Sequence, residues 1–372
     1  MNILLAPDSF KGTLSADEVC DIIESVLEKE IPNCNITKLP VADGGEGLCL
    51  GFAKVKDGEW HSSSVVDPFG EPMKADWLML ENGVAVIEMS ACAGLPLVAN
   101  RADPTKTTTR GVGMMIADAV KNGAKGIILG LGGSATNDCG AGMAAALGFS
   151  FLDVSGEPFL PLGGTLENIA KIVPPTKPFL IPVTAACDVK NPLFGRNGAA
   201  YVYAPQKGAD EKQVKLLDDG LRHIAELLKR DLGADVTTLH GAGAAGGLGA
   251  GAVAFLNAEL QSGIDIFLDV ADFDSLAVAS DLVITGEGRL DFQSLCGKVI
   301  SGICARTERL GVKTAAVCGC VSPDLDIEHL GLSFVVAASN GDKTLDELKK
   351  TCRAELRSAA VELAVKISEI KR

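Results

Sequence analysis

Two periods of apolar and polar positions alternate along the chain. Asn2–Pro7 (NILLAP) is a short unbroken apolar run, the pattern of a strand buried on both faces. The capping box Ser15-Ala16-Asp17-Glu18 follows, and behind it Val19, Ile22, Ile23, Val26 and Leu27 recur at helical spacing. Residues 36–42 read as a second strand, ending in the glycine-acid loop Asp43-Gly44-Gly45-Glu46-Gly47. The same style returns at the other end of the chain. Residues 282–285 are a buried strand, and Val299–Leu310 is patterned as a helix. Strands at Thr314–Cys318 and 333–338 come next. A last helix opens on Thr344-Leu345-Asp346-Glu347 and carries Leu348, Cys352, Leu356, Ala359, Leu363 and Ile367 on one face. Both ends are therefore expected to build one doubly wound, Rossmann-like parallel-sheet domain.

The middle reads differently. WHSSSVV, ADWLML and VAVIEM lie between residues 59 and 90, separated by Asp67-Pro68-Phe69-Gly70 and Glu81-Asn82-Gly83. The Asn-Gly pair is a hairpin signal, so this section is expected to be antiparallel. A helix over 109–122 ends at Gly123, and a strand over 126–131 runs into Gly132-Gly133-Ser134-Ala135-Thr136-Asn137-Asp138 and an Ala/Gly-rich helix. The strand 182–186 ends in Cys187-Asp188-Val189-Lys190, and residues 212–230 form an amphipathic helix. The stretch 241–254 (GAGAAGGLGAGAVA) is either a tightly packed helix start or a ligand-facing loop. The expected domains are 1–58 with 255–372, Rossmann-like, and an inserted α/β domain over 59–254 with mixed or antiparallel strands.

Composition narrows the function. The chain has 372 residues and a net charge of −14, which argues against nucleic acid or an anionic membrane as partner. Only 2 Trp and 2 Tyr are available as stacking platforms. The 11 cysteines show no C-x-x-C pair, so neither a disulfide framework nor a zinc site is expected. The sequence starts directly on a strand pattern, and no apolar run has membrane-spanning length, so a cytoplasmic protein is expected.

The chemistry gathers at predicted strand ends, in loops around Asp8, Asp43, Ser134, Asp188, Gly243 and Glu287. After the strand 282–285, Glu287 and Asp291 could hold Mg²⁺, and Arg289 and Lys298 could face phosphate. Phe292 stands where a Walker A loop needs glycine, and Gly286-Glu287-Gly288 does not continue into the dinucleotide fingerprint. None of the four histidines has a setting that suggests a catalytic base, and no serine lies in G-x-S-x-G. Phosphoryl transfer fits better, since it needs positioning, carboxylate-held Mg²⁺, and cations or N–H groups on the phosphates.

These motifs carry a family resemblance. APDSFKGTLSA, ADGGEG, DPFG, LGGSATNDCGAGMAAALG, CDVKNPLFG, PQKGA, GAGAAGGLG and DLVITGEGRLDFQS resemble, in order along nearly the whole chain, the bacterial class I glycerate kinases. Cys139 is a departure, at a position where the family is expected to have glycine. The resemblance implies ATP- and Mg²⁺-dependent phosphorylation of D-glycerate to 2-phosphoglycerate, by two α/β domains with the active site between them. A 3-phosphoglycerate product and an NAD-dependent hydroxy-acid dehydrogenase are the alternatives. The expected partners are D-glycerate and ATP, with a homodimer left open.

Individual roles remain expectations. Asp188 or Asp8 would orient or deprotonate the glycerate hydroxyl; the plainer reading of Asp188 is a turn cap before Asn191-Pro192. Lys11 and Arg289 would meet the substrate carboxylate or the transferring phosphoryl group, or else lie on a solvated surface. Gly132, Gly133, Ser134, Thr136 and Asn137 would wrap nucleotide phosphates, or simply enter and cap a helix. Lys207 would be a second phosphate contact, or a loop charge. Asp43, Glu46, Glu287 and Asp291 are the Mg²⁺ candidates, with helix capping as the alternative.

Overall fold

The computed structural model describes residues 1–41, 47–291, 299–322, 325 and 330–370. The chain forms two compact units, Met1–Asp43 with Ile264–Arg372, and Gly44–Gly263. Strands β1 (Asn2–Pro7) and β2 (Asn35–Lys38) open the first unit. The second unit holds β3 (Gly58–Val66), β4 (Pro72–Leu80), β5 (Val84–Glu88), β6 (Gly126–Gly130), β7 (Ser150–Leu152), β8 (Pro158–Phe159), β9 (Lys171–Val173), β10 (Val183–Ala186) and β11 (Glu259–Gln261). The first unit resumes with β12 (Leu282–Gly286), β13 (Arg289–Leu290), β14 (Thr314–Cys318), β15 (Cys320–Val321) and β16 (Phe334–Ala337).

The first unit is built on a five-stranded sheet in the order β16-β14-β12-β1-β2, and every pairing in it is parallel. Counted within the sheet this is the doubly wound order 2-1-3-4-5, whose direction of winding reverses between β1 and β12. The apolar runs are unbroken because both faces are covered. Ile3, Leu5, Leu282, Ile284, Ala315 and Val317 face the helices Ala16–Glu30 and Leu345–Ile370. Ala316 and Cys318 point the other way and join Ile300 and Cys304 of Val299–Leu310. Ser15 and Glu18 close the capping box of the first helix. The second strand is shorter than its apolar pattern, although Leu39 and Val41 still donate N–H bonds to Leu5 and Pro7.

The second unit has a mixed six-stranded sheet, β11-β10-β6-β5-β4-β3. Its β3-β4-β5 part is antiparallel, and Gly83 (φ 84) makes the turn after Asn82. From β5 to β11 the pairing is parallel. One core, including Trp77, Ile87, Leu129, Leu221 and Leu248, fills this unit. A small antiparallel sheet, β8-β7-β9, lies beside it. No described helix is long and apolar enough to cross a membrane.

Candidate active site

In the first unit the polar residues gather where the winding reverses. Pro7 and Gly286 are register partners at the ends of β1 and β12, and Asp8 donates its N–H to Gly286 at 2.8 Å. Asp8 and Glu287 thus leave adjacent strand ends side by side, 8% and 7% exposed. Asp8 Oδ1 accepts the Ser9 N–H at 2.6 Å, which fixes its orientation. Arg289 lies in β13, which pairs with β15, and its Nε stands 4.0 Å from Asp291. Lys11, Arg289 and Asp291 border a cavity of about 320 Å³ together with Asp8 and Glu287. Sequence reasoning missed other lining residues, Ser339 and the ion pair Lys343–Glu355. Lys343 precedes a capping box, and that signal masked any other role.

The second unit has its own pocket, again at the carboxyl ends of adjacent parallel strands, β6 and β10. Gly130 and Ala186 are register partners there, so the glycine turn after β6 and the Asp188 loop after β10 emerge together. Gly132, Gly133, Ser134, Asp188, Tyr203 and Lys207 line a cavity of about 210 Å³. No acceptor among the described residues engages the N–H groups of Gly132, Gly133 or Ser134. A run of free backbone donors at a strand end is the geometry of an anion site. Asp188 Oδ1 accepts the Gly263 N–H at 2.8 Å.

Beneath the turn lies a dense polar network. Thr136 and Asn137 are fully buried and do not line the cavity. Asp138, also fully buried, accepts from Thr109 N at 2.7 Å, Thr109 Oγ1 at 2.9 Å, and the N–H groups of Gly140 and Gly142 at 3.2 Å. Burial pushes its carboxyl above the usual range, and these donors pull it back. The glycine-rich stretch resolves as the helix Ala244–Leu256, with Ala245, Gly246 and Gly247 in the left-handed region at its start. A Cβ on Gly246 would stand 1.9 Å from the Thr136 carbonyl oxygen, so glycine is what lets the helix press against the turn. Ala244 and Ala245 then line the pocket, so the stretch is a packed helix start that also faces the cavity.

Lys207 points inward because of its local chain. Pro205–Lys207 is a single 3-10 turn, and Gly208 (φ 95) follows so close to Ala102 that a Cβ would lie 2.2 Å from the Ala102 oxygen. The Asp188 loop is clamped from below. Asp218 accepts the Gly195 N–H at 2.6 Å, Arg222 covers the Phe194 ring at 4.4 Å, and Tyr203 donates its hydroxyl to Asn191 Oδ1 at 2.6 Å. Asp138, Thr109 and Tyr203 were missed, because nothing local in the sequence marks them.

A model of the glycerate kinase family matches residues 3–368. The chain belongs to that family. A glycerate kinase of Bacillus cereus is 41% identical over 98% of this chain and 97% of its own length. An Escherichia coli protein named glycerate 2-kinase is 41% identical over 98% of each chain. The crystal structure of a putative glycerate kinase 2 from Salmonella typhimurium is similar with a TM-score of 0.87 at 37% identity, covering 100% of this chain and 99% of that one. As a glycerate kinase family member the chain is an enzyme, and its α/β architecture is the one seen in that structure.

The family motifs quoted above fall on both cavities. Asp43, Glu46 and Lys298 lie outside the described residues. Among the described residues no three His, Cys, Asp or Glu side chains gather as a metal cage. Mg²⁺ does not require one, because it is commonly held by one or two carboxylates plus phosphate oxygens and water. Asp8 and Glu287, which both line the first unit's cavity, are hard oxygen donors of that kind.

Proposed function

We propose that the protein transfers the terminal phosphoryl group of ATP to the 2-hydroxyl of D-glycerate, with Mg²⁺, in the cytoplasm. The observation that carries this reading is the second unit's pocket. Three free N–H groups, a buried lysine and the Asp188 carboxylate share one small cavity. Phosphoryl transfer to an alcohol needs an anion cradle and a carboxylate for the hydroxyl proton, and little covalent chemistry. In this reading Gly132, Gly133 and Ser134 hold phosphate oxygens, and Asp188 orients the acceptor hydroxyl and takes its proton. Thr136 and Asn137 act from beneath, by shaping the turn. Lys11 and Arg289 meet the glycerate carboxylate or the transferring group, and Asp8 keeps a second carboxylate at the strand ends. Glu287 and Asp291, with Asp43 and Glu46, would hold Mg²⁺, which neutralises phosphate charge when bound. The name of the Escherichia coli relative supports the 2-position.

Phosphorus NMR on ATP, Mg²⁺, D-glycerate and enzyme tests the reading. A phosphate on C2 couples to one proton and gives a doublet. A triplet would place the phosphate on C3, and no consumption of ATP above the glycerate-free control would remove the kinase reading.

A further inference from the structure

Lys207 is placed where lysine is rarely found. The residue is 2% exposed, and among the described residues Nζ reaches only the Thr136 carbonyl at 2.7 Å and Ser134 Oγ at 3.4 Å. None of the described carboxylates is within ion-pair distance of it. Among the described residues the charged group that acts on it through space is Asp138, and four donors already occupy that carboxylate. The other titratable groups facing the cavity are Asp188, Cys187 and Tyr203. Asp188 is engaged with the Gly263 N–H, and Tyr203 donates to Asn191. A buried ammonium without a counterion is costly, and such a group sheds its proton instead. Burial accordingly pushes the Lys207 amine down to about 7.

The amine nevertheless lines a cavity edged by three free N–H groups. An anion there provides the negative partner that the folded chain withholds. We propose that this pocket takes up a proton together with its anion, on Lys207 Nζ. The proton comes from solvent, adds to the amine lone pair as the anion enters, and returns to solvent when the anion leaves. No electrons move. This deepens the proposed function and rests on its reading of the pocket as an anion site. The shared chemistry is an oxyanion, either a nucleotide phosphate or the glycerate carboxylate.

The sign follows from linkage. The free pocket is neutral at Nζ above about pH 7, so binding there requires protonation, and affinity falls by about tenfold per pH unit. Uptake should therefore approach one proton per anion well above neutrality and fade well below it.

Calorimetry on the whole protein at pH 8, in two buffers of different ionisation enthalpy, counts these protons. Mg²⁺–ATP and D-glycerate are titrated separately. The expected result is uptake near one proton for one ligand, reduced to near zero in Lys207→Met, with weaker binding of that ligand. The variant should melt no lower than the wild type, since methionine fills the site without a charge to bury. A purely structural lysine would instead lose stability along with binding. Uptake with glycerate but not with ATP keeps the inference and overturns the phosphate reading. Binding of both ligands with no uptake overturns the inference and leaves the kinase reading intact. Binding of neither overturns both. Should the variant fail to fold, the wild type decides alone: an affinity flat between pH 6 and 8.5 sinks the proposal.

Discussion

The proposed role of Asp188 can be tested apart from its structural contact. Oδ1 is held by the Gly263 N–H at 2.8 Å, and the residue also lines the pocket. Asp188→Asn keeps an acceptor for Gly263 and removes the carboxylate, so the fold should persist. Turnover should fall by about 10²–10⁴-fold, the usual loss of a positioned base. Steady-state rates beside circular dichroism check this, and a variant keeping more than about a tenth of wild-type turnover would reject the role. At this scale the sequence is readable only where chemistry and local pattern coincide. Ser134 and Asp188 stand at strand ends and could be named from pattern. Asp138 could not, because its meaning comes from Thr109, 29 positions away. Lys207 could be named but not understood, since its partner Thr136 is 71 positions away. Cys139 is legible in reverse. It has φ 53, a left-handed backbone that costs about 1–2 kcal/mol for a residue with a Cβ, and this gives the expectation of glycine there a physical reason.

Elements with a full period were legible almost to the residue. Val299–Leu310 and Thr314–Cys318 show one face or one unbroken run, and the structure has both as read. The paired β13 and β15, with two residues each, and the strands β7 to β9 are too short to carry a period. Their formation depends on partners that only the folded chain supplies. The winding order was equally hidden, because strand sequence does not reveal neighbours. The contact between the helix Ala244–Leu256 and the glycine turn offers a test at this scale. Gly246→Ala places a Cβ 1.9 Å from the Thr136 oxygen at φ 65. Overpacking plus left-handed strain should cost about 2–4 kcal/mol. Urea unfolding measures the loss, and ligand titration should show weakened anion binding, because the displaced carbonyl is the one Lys207 holds. An unchanged midpoint would mean that the turn yields freely.

Across the whole molecule the two cores are built from different parts of the chain. The second unit's core, around Trp77 and Leu129, is contiguous in sequence, whereas Leu5 and Ile23 of the first unit pack with Ile284 and Leu363. The expected discontinuity was visible in the similar styling of the two ends, although no linker composition marks the junctions. This arrangement sets a schedule for synthesis. Ile3 must pair with Leu282, and the roughly 280 residues between them take about 15–55 s to translate at ~5–20 residues per second. Throughout that interval Leu4 and Leu5 have left the ribosome with one flank of their sheet missing. The second unit can fold meanwhile, so the growing chain is half finished and sticky at its leading end. Ribosome-bound chains halted after Gly263 should therefore lose their first 40 or so residues to brief proteolysis while the following segment resists. Equal resistance of both segments would mean that β1, β2 and the helix Ala16–Glu30 hold together without their later neighbours. The price of sewing one sheet from both ends is thus a vulnerable first half-minute, a burden that falls on the cell's chaperones.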